Sequence, residues 1–520
     1  MKRFIKFAAP VLAAVLCFTS CDSETLPPPT PATYTVTIAS GIENGTVTAS
    51  PTTAAAGAKI SLTATPASGY KLDAWDVKAG TKKVTVTDNA FTMPDSNVTV
   101  SATFTAKTAS YTVKHLQQNI ADDNYTLKES ETKTGKVNEA MAISVKSYEG
   151  FTMQAQAVTV TESGTEVEIK YDRKMFTVTF DPDGGTAVSP QTMRYEAKAT
   201  KPADPTKSEE RMSYAFLGWY NGDTAFDFAT AITADITLKA KWLKGFAKVT
   251  GTTIKGDENW TPESKVFISN RKLTIGNLYV CDHEVTRGEF MELIGSDPSM
   301  AKAYDKDGNV LTGDAVRNNP VNSVCWYEAL VYCNKLSIKE GLTPCYTIFG
   351  STDPAAWESF PCPYSSDAAW DAAICDFKAD GYRLPTEAEW EWLARGGENY
   401  TYAGSDTIDE VAWNADNTAG SRDVKTKNAN GYRLYDMSGN VWEWCWDWYE
   451  KEGESISEST GETGLASGTE RVARGGSWGL DNLDNYVSDY KVSSRKHFFP
   501  YTSGNSNRSY GFRLVRSCSD

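Results

Sequence analysis

The tryptophans of this chain are distributed very unevenly, and this limits where a large hydrophobic core can form. Of the 15 tryptophans in 520 residues, 12 lie from Trp260 onward. Each buried tryptophan removes a large apolar area from water. We therefore expect the main core within residues 261–520. A chain of this length exceeds what one core usually organises, so several domains are expected.

Residues 261–520 contain three clear signals for short helices. Thr286-Arg287-Gly288-Glu289 is a capping box that predicts a helix with Phe290 on its buried face. A second helix is expected to begin near Ser323, with Cys333 on its apolar stripe and therefore in the core. Thr386 and Glu389 predict a third helix that ends at Gly396 and Gly397.

The first half of the chain has the period-two pattern of β-strands instead. Polar and apolar residues alternate in YTVTI (34–38), KISLTATP (59–66), NVTVSATF (97–104) and VEIKY (167–171), with Gly, Asn and Pro turns between them. We divide the chain at these turns. The predicted segments are a Pro-rich tether at 21–33, β modules at 34–107, 108–174 and 175–244, a linker at 245–260, and a C-terminal domain at 261–520.

The N-terminus has the order of an export signal. A basic start, an apolar stretch and small residues before Cys21 predict a signal peptide over residues 1–20. This order resembles a bacterial lipoprotein signal, which implies acylation of Cys21 and an anchor in the outer membrane or cell envelope. An ordinary signal peptide cut near Ser20 is the alternative. The net charge of −15 argues against nucleic acid as the main partner.

The third β module resembles a known repeat family. FTVTFDPDGG (176–185), FLGWY (216–220), FDFAT (226–230) and ITADITLKAKW (232–242) are similar to the Listeria–Bacteroides (internalin B-type) repeat. GYKLDAW (69–75) resembles bacterial surface β-repeats, and YTVKHLQQN (111–119) weakly resembles mucin-binding repeats. The resemblance implies that these modules form a stalk, with ligand binding by the repeats as the alternative.

The second half of the chain contains five ordered blocks: EVTRGEF (284–290), GYRLPTEAEWEWLARGG (381–397), NANGYRLYDMSGNVWEWCWDWY (428–449), RVARGGSW (471–478) and YGFRLVRS (510–517). Together they resemble the formylglycine-generating-enzyme (sulfatase-modifying factor) domain. The resemblance implies an α+β, C-type-lectin-like fold and a pocket at Ser477, Trp478 and Arg495. In that family a cysteine pair beyond the GGS block binds copper and carries out the oxidation.

The copper-binding thiols are missing from the expected positions. The family's cysteines fall near Leu480 and Asn485, and no cysteine lies between Cys445 and Cys518. Copper(I) prefers thiolates, so we expect no copper and no catalytic residue. Oxidation of a substrate cysteine is kept as the alternative function.

The resemblance also implies a calcium site around the GNVWEW motif. Its ligands are the side chains of Asp436 and Glu443 with the carbonyls of Gly439 and Val441, a set of oxygens that suits a hard cation. The alternative is that Glu443 pairs with an arginine while Trp442 and Trp444 fill the core.

The segment between Trp478 and Phe512 is rich in Tyr, Asn and Ser and contains the adjacent Phe498 and Phe499. Such a mixture is typical of adaptable binding surfaces. The arrangement resembles retroelement-diversified variable proteins, which would make it an actively varied site; a fixed surface loop is the alternative. The predicted ligand contacts are Asn482, Asn485, Tyr486, Tyr490, Phe498, Tyr501, Asn505, Asn507 and Tyr510.

Eight cysteines remain in the C-terminal half, so one or two disulfides are expected, with their pairing open. Together these patterns predict small all-β repeat modules followed by an α+β lectin-like domain. We expect a lipid-anchored surface protein whose C-terminal domain binds a protein or glycan.

Overall fold

The computed structural model describes residues 30–142, 145–154, 157–162, 164–256, 258–357, 362–450, 460–479, 486–503 and 510–518. The chain divides into two compact units, with the boundary between Met175 and Phe176. Each unit is described by itself below.

The first module of the N-terminal unit contains two small sheets. Their strand orders are β3-β1-β8-β5-β6 and β2-β4-β7, and β1 runs parallel to β8. Alternate residues of β8 point into the core, including Val98, Val100 and Phe104, which confirms the period-two interpretation. The strands are β1 (Thr33–Ile38), β2 (Gly45–Ser50), β3 (Thr53–Ala55), β4 (Lys59–Pro66), β5 (Tyr70–Ala79), β6 (Lys82–Lys83), β7 (Ala90–Thr92) and β8 (Val98–Ala106).

The second module has a four-stranded sheet in the order β10-β9-β14-β12 and a separate β11–β13 pair. His115 is fully buried in it, with Nδ1 at 2.9 Å from the hydroxyl of Tyr171, so this histidine is a core residue. The strands are β9 (Thr108–Gln118), β10 (Tyr125–Lys136), β11 (Ala140–Ala142), β12 (Phe151–Met153), β13 (Ala157–Thr159) and β14 (Thr165–Arg173).

The third module begins the C-terminal unit. Its sheet has the order β16-β15-β20-β18-β17, with β19 paired to β18. Trp219 is buried between Phe180 and Phe216, at centroid distances of 4.9 and 5.5 Å, and these rings form the centre of a small core. The strands are β15 (Met175–Asp181), β16 (Gln191–Arg194), β17 (Ser208–Glu209), β18 (Met212–Asn221), β19 (Thr224–Ala225) and β20 (Ile236–Lys244).

The remaining residues of this unit form an α+β domain, called the head below. Its helices are α1 (Arg287–Ile294), α2 (Trp326–Lys339), α3 (Ala368–Asp371), α4 (Glu387–Arg395) and α5 (Ile408–Val411), with 3₁₀ turns at Gly313–Asn318, Pro354–Ala356 and Tyr486–Tyr490. Its strands are β21 (Phe246–Val249), β22 (Thr252–Ile254), β23 (Leu273–Ile275), β24 (Leu278–Cys281), β25 (Ala303–Tyr304), β26 (Val310–Leu311), β27 (Tyr346–Thr347), β28 (Ile374–Cys375), β29 (Tyr382–Arg383), β30 (Ser421–Arg422), β31 (Trp442–Trp448), β32 (Arg471–Arg474), β33 (Lys496–Phe498), β34 (Tyr510–Gly511) and β35 (Val515–Ser517).

Two four-stranded sheets organise the head. One has the order β21-β24-β35-β29 and the other β33-β32-β31-β34. Because β21 pairs with β24 and β22 with β23, the interpretation of residues 245–260 as a linker is wrong. The apolar residues of these strands, such as Val249 and Ile254, are buried in the head's core, so the head begins at about Phe246.

The three predicted helices are confirmed. Thr286 and Thr386 each cap their helix with a reciprocal glutamate three residues later, and α4 ends at Gly396 in the left-handed conformation. Cys333 is fully buried on α2, as its place in the apolar stripe predicted. Within the described part of the chain, no helix is both long and apolar enough to span a membrane.

The third repeat module is fastened to the head through Asp282. This buried carboxylate follows β24 and accepts a 2.8 Å bond from the backbone N–H of Ser213 in β18. The Nζ of Lys425 donates to its other oxygen, also at 2.8 Å. The repeat is therefore attached at a specific polar contact and shares one compact unit with the head.

Candidate functional site

The strand β31 lies at the centre of the site region and presents its tryptophans to the core. Trp442 and Trp444 are 1% and 0% exposed, and the indole N–H of Trp444 donates to the carbonyl of Val324 at 2.8 Å. The indole of Trp326 donates in turn to the carbonyl of Cys445 at 2.9 Å. These bonds join the start of α2 to β31.

Glu443, between these tryptophans, forms a buried ion pair. Its Oε1 accepts from Nη2 of Arg513 at 2.7 Å, and the Nε of Arg513 lies 3.1 and 3.0 Å from its two oxygens. Its Oε2 accepts from the indole N–H of Trp390 at 2.7 Å. Both side chains of the ion pair are fully buried. The pairing of Glu443 with an arginine, which was the alternative to calcium ligation, is therefore observed.

Asp436 has the opposite character. It is 2% exposed, and its Oδ2 accepts from the backbone N–H of Lys425 at 2.7 Å. Its Oδ1 is buried and has no hydrogen-bond partner among the described residues. Burial raises the pKa of this carboxyl to about 6. An orphaned carboxylate oxygen is a suitable ligand for a hard cation.

Sequence reasoning missed a further buried acid, Glu284, beside this site. Its oxygens accept from the side-chain amide of Asn440 at 2.8 Å and from the backbone N–H of Val441 at 2.9 Å. Burial and the nearby carboxylates of Asp436 and Glu443 raise the pKa of Glu284 well above its usual value. The sequence signal that could have identified Glu284 is its position in the EVTRGEF block, directly before the apolar Val285.

Of the three residues expected to form the family pocket, Arg495 is not available. Its Nε and Nη2 donate to the two oxygens of Glu387 at 2.6 and 2.8 Å, and both side chains are buried. Ser477 and Trp478 are also buried, at 2% and 8% exposure. Arg495 as a pocket residue is therefore wrong, because its ion pair with Glu387 holds the backbone around Arg495 against α4.

Two of the predicted ligand contacts are core residues. Tyr490 and Tyr510 are 2% and 0% exposed, and the hydroxyl of Tyr490 donates to the carbonyl of Ser477 at 2.8 Å. A Cβ on Gly476, which has a φ of 81°, would meet the Tyr490 ring at 2.5 Å, so the glycine and the tyrosine fit each other. Both tyrosines as contact residues are wrong, because a ligand cannot reach them.

An exposed aromatic surface of the predicted contact segment lies on the turn from Phe499 to Thr502. Phe499 is 45% exposed, and its ring stacks on that of Tyr501 at 5.4 Å with an interplanar angle of 9°. The turn closes with a 2.8 Å bond from Thr502 N–H to the carbonyl of Phe499. The backbone N–H of Trp326, in the first turn of α2, donates to the carbonyl of Pro500 at 2.9 Å. We call residues 499–502 the aromatic turn.

Phe498, directly before the aromatic turn, packs against core aromatic residues. It is half-buried, and its ring lies 4.4 Å from the ring of Tyr510 and about 6 Å from those of Trp442 and Trp444. Its inner face therefore serves packing. The other predicted contacts, Asn482, Asn485, Asn505 and Asn507, lie outside the described residues, as do the side chain of Tyr486, the signal peptide and Cys21.

Comparison with protein families agrees with this architecture. Residues 244–518 match the sulfatase-modifying factor enzyme 1-like domain, and residues 34–108 and 176–241 match the divergent InlB B-repeat and the Listeria–Bacteroides repeat. The fold and the blocks of the head define a protein with N-terminal β-repeats and one such domain. The chain belongs to the sulfatase-modifying factor enzyme 1-like family.

Individual relatives cover the head to different extents. The chaperone protein LppX of Paenibacillus barcinonensis is 34% identical over 276 residues, 49% of this chain and 85% of that protein. The formylglycine-generating enzyme of Streptomyces coelicolor is 35% identical over 163 residues, 28% of this chain, and the match spans only 50% of that enzyme. Treponema denticola variable protein 1 is 33% identical, with 54% of this chain and 96% of that chain covered and a TM-score of 0.44.

Proposed function

We propose that this protein is an exported envelope lipoprotein, acylated at Cys21, whose head binds a protein or glycan ligand at the aromatic turn. The N-terminal β modules act as its stalk. The observation that carries the proposal is the stacked Phe499–Tyr501 pair on a turn pinned to α2. Aromatic side chains held in one conformation lose little entropy when a ligand covers them. Such a surface therefore suits recognition of a macromolecule.

The cysteine positions in the head argue against the oxidative alternative. Copper(I) requires soft thiolate donors, and residues 446–517 contain no cysteine. Cys445 itself is fully buried in the core, and burial raises the pKa of its thiol well above the usual range. A thiol in this state is a poor ligand and a poor nucleophile.

The test is ligand screening of the mature chain on glycan and surface-protein arrays. Binding should be lost in Phe499→Ala and in Tyr501→Ala. Phe349→Ala is the matched control, because Phe349 is 41% exposed, close to the 45% of Phe499, and lies after β27. Equal binding by all four proteins would contradict the proposed surface. Copper-dependent oxidation of a cysteine-containing peptide would instead establish the enzyme.

We further propose a calcium ion at Asp436, with the backbone carbonyls of Gly439 and Val441 as further oxygen ligands. The unpartnered Oδ1 of Asp436 supports this proposal. Bound calcium would offset the negative charge of the buried Asp436 carboxylate and so stabilise the head. Calcium should raise the melting temperature of the wild type and leave that of Asp436→Asn unchanged. The same shift in both proteins would exclude the site.

A further inference from the structure

The first turn of α2 carries an unusual capping residue. Within the described residues, α1 and α4 follow a capping Thr and have a glutamate three positions after it, and α2 has the same spacing with Cys325 in place of Thr. The N–H of Cys325 donates to Oε2 of Glu328 at 2.8 Å. Sulfur is a weaker acceptor than a hydroxyl, so capping alone does not explain a cysteine at this position.

A second cysteine lies directly opposite. The Sγ atoms of Cys325 and Cys362 are 3.6 Å apart, although the residues are 37 positions apart in sequence. Both side chains are buried, at 2% and 4% exposure. The two thiols are therefore in contact in the folded protein.

Aromatic contacts join α2 to described residues on both sides of Cys362. The ring of Trp370 lies 5.4 Å from that of Tyr327 and 5.5 Å from that of Trp357. The hydroxyl of Tyr327 also donates to Asp371 at 2.6 Å. Because these contacts surround the cysteines, the fold itself brings the thiols together.

We propose that Cys325 and Cys362 form a disulfide. The oxidant is a disulfide, either of an envelope oxidoreductase or of oxidised glutathione. The thiolate of one cysteine attacks it to give a mixed disulfide, and the second thiolate then displaces the oxidant's sulfur. Two S–H bonds are lost and one S–S bond forms, while two electrons and two protons pass to the oxidant, which is reduced to two thiols.

The bond has a consequence for the aromatic turn. The N–H of Val324 donates to the carbonyl of Tyr510 at 3.1 Å, and the N–H of Trp326 to that of Pro500 at 2.9 Å. Val324 and Trp326 flank Cys325, so a covalent bond at Cys325 limits the movement of the backbone that supports the aromatic turn. The oxidising compartment is implied by the proposed function, but the pairing itself can be tested with the purified chain.

The experiment oxidises the mature chain during refolding in a glutathione redox buffer, because burial raises the pKa of the Cys325 thiol well above the usual range in the folded state and so slows its reaction. Free thiols are then alkylated and peptides are analysed by mass spectrometry. We expect a linked pair of peptides containing Cys325 and Cys362. Reductant should lower the melting temperature of this protein but not that of the Cys325→Ser, Cys362→Ser double variant, in which the introduced serine remains a good cap for α2.

Three outcomes would overturn the proposal. One is alkylation of both cysteines in a correctly folded sample taken from the oxidising buffer. Another is a bond from either residue to a different cysteine. The third is a chelator-removable metal ion in the native mass with both thiols reduced, since Glu328 and the two sulfurs have ligand atoms within 4.8 Å of one another. If the disulfide forms but the protein binds nothing on the arrays, the proposed function is contradicted and the disulfide proposal stands.

Discussion

Replacing Glu443 with glutamine tests whether the buried pair with Arg513 stabilises the head. The change keeps the size of the side chain but removes the charge opposite a guanidinium that is fully buried. Removing one partner of such a pair lowers the free energy of unfolding by about 3–5 kcal/mol, because the other charge stays uncompensated. For the unit that spans Phe176–Asp520, an unfolding entropy of about 2.1 cal/mol/K per residue converts this loss to a melting-temperature drop of roughly 4–7 °C.

The measurement is thermal unfolding followed by tryptophan fluorescence, with calcium present and with a chelator. Glu292→Gln is the control, because Glu292 pairs with Arg317 at the surface, with side-chain exposures of 63% and 38%. Surface pairs contribute at most about 1 kcal/mol. A Glu443→Gln protein that melts within about 1 °C of the wild type would refute the reasoning. If the loss occurs only in calcium, Glu443 acts through the metal instead.

The remaining predictions concern pH, the repeat–head contact and a glycine. Burial raises the pKa of Asp447 to about 7, so its ionisation opposes folding increasingly as pH rises from about 4 to 7; Asp447→Asn should gain stability relative to the wild type at pH 8 but not at pH 4. Asp282→Ala removes the acceptor of Ser213 N–H and should speed hydrogen exchange along β18 without unfolding the head. Gly476→Ala places a Cβ at 2.5 Å from Tyr490 and should lower the melting temperature by several degrees, because a left-handed backbone and a ring both oppose it.

The local features of this fold could be predicted from the sequence. Thr286 and Thr386 mark helix starts because a side-chain cap and its glutamate lie within four residues of each other. The alternation in β8 marks a strand because only one face of a small sheet is buried. Such signals depend on neighbours in sequence, so they survive without knowledge of the tertiary structure.

The pairing of distant residues could not be predicted in the same way. Nothing near Glu443 in sequence indicates that Arg513 and Trp390 would occupy its oxygens, and nothing near Cys325 identifies Cys362 as its neighbour. Tyrosine serves both binding surfaces and cores, so the composition of the segment does not reveal that the ring of Tyr490 is buried against Gly476. Exposure is a property of the assembled fold.

The buried ion pairs explain how the head can accept substitutions on its exposed surface without losing stability. Glu387 and Glu391 on α4 pair with Arg495 and Arg474, while Glu443 on β31 pairs with Arg513. The arginines come from three separate stretches of the C-terminal chain, and each is held by a carboxylate that is itself in the core. The aromatic turn therefore lies between Arg495 and Arg513, two side chains that are each held in the core by a buried carboxylate. Substitutions on the exposed aromatic turn should change ligand recognition while leaving these pairs, and hence the stability of the head, intact.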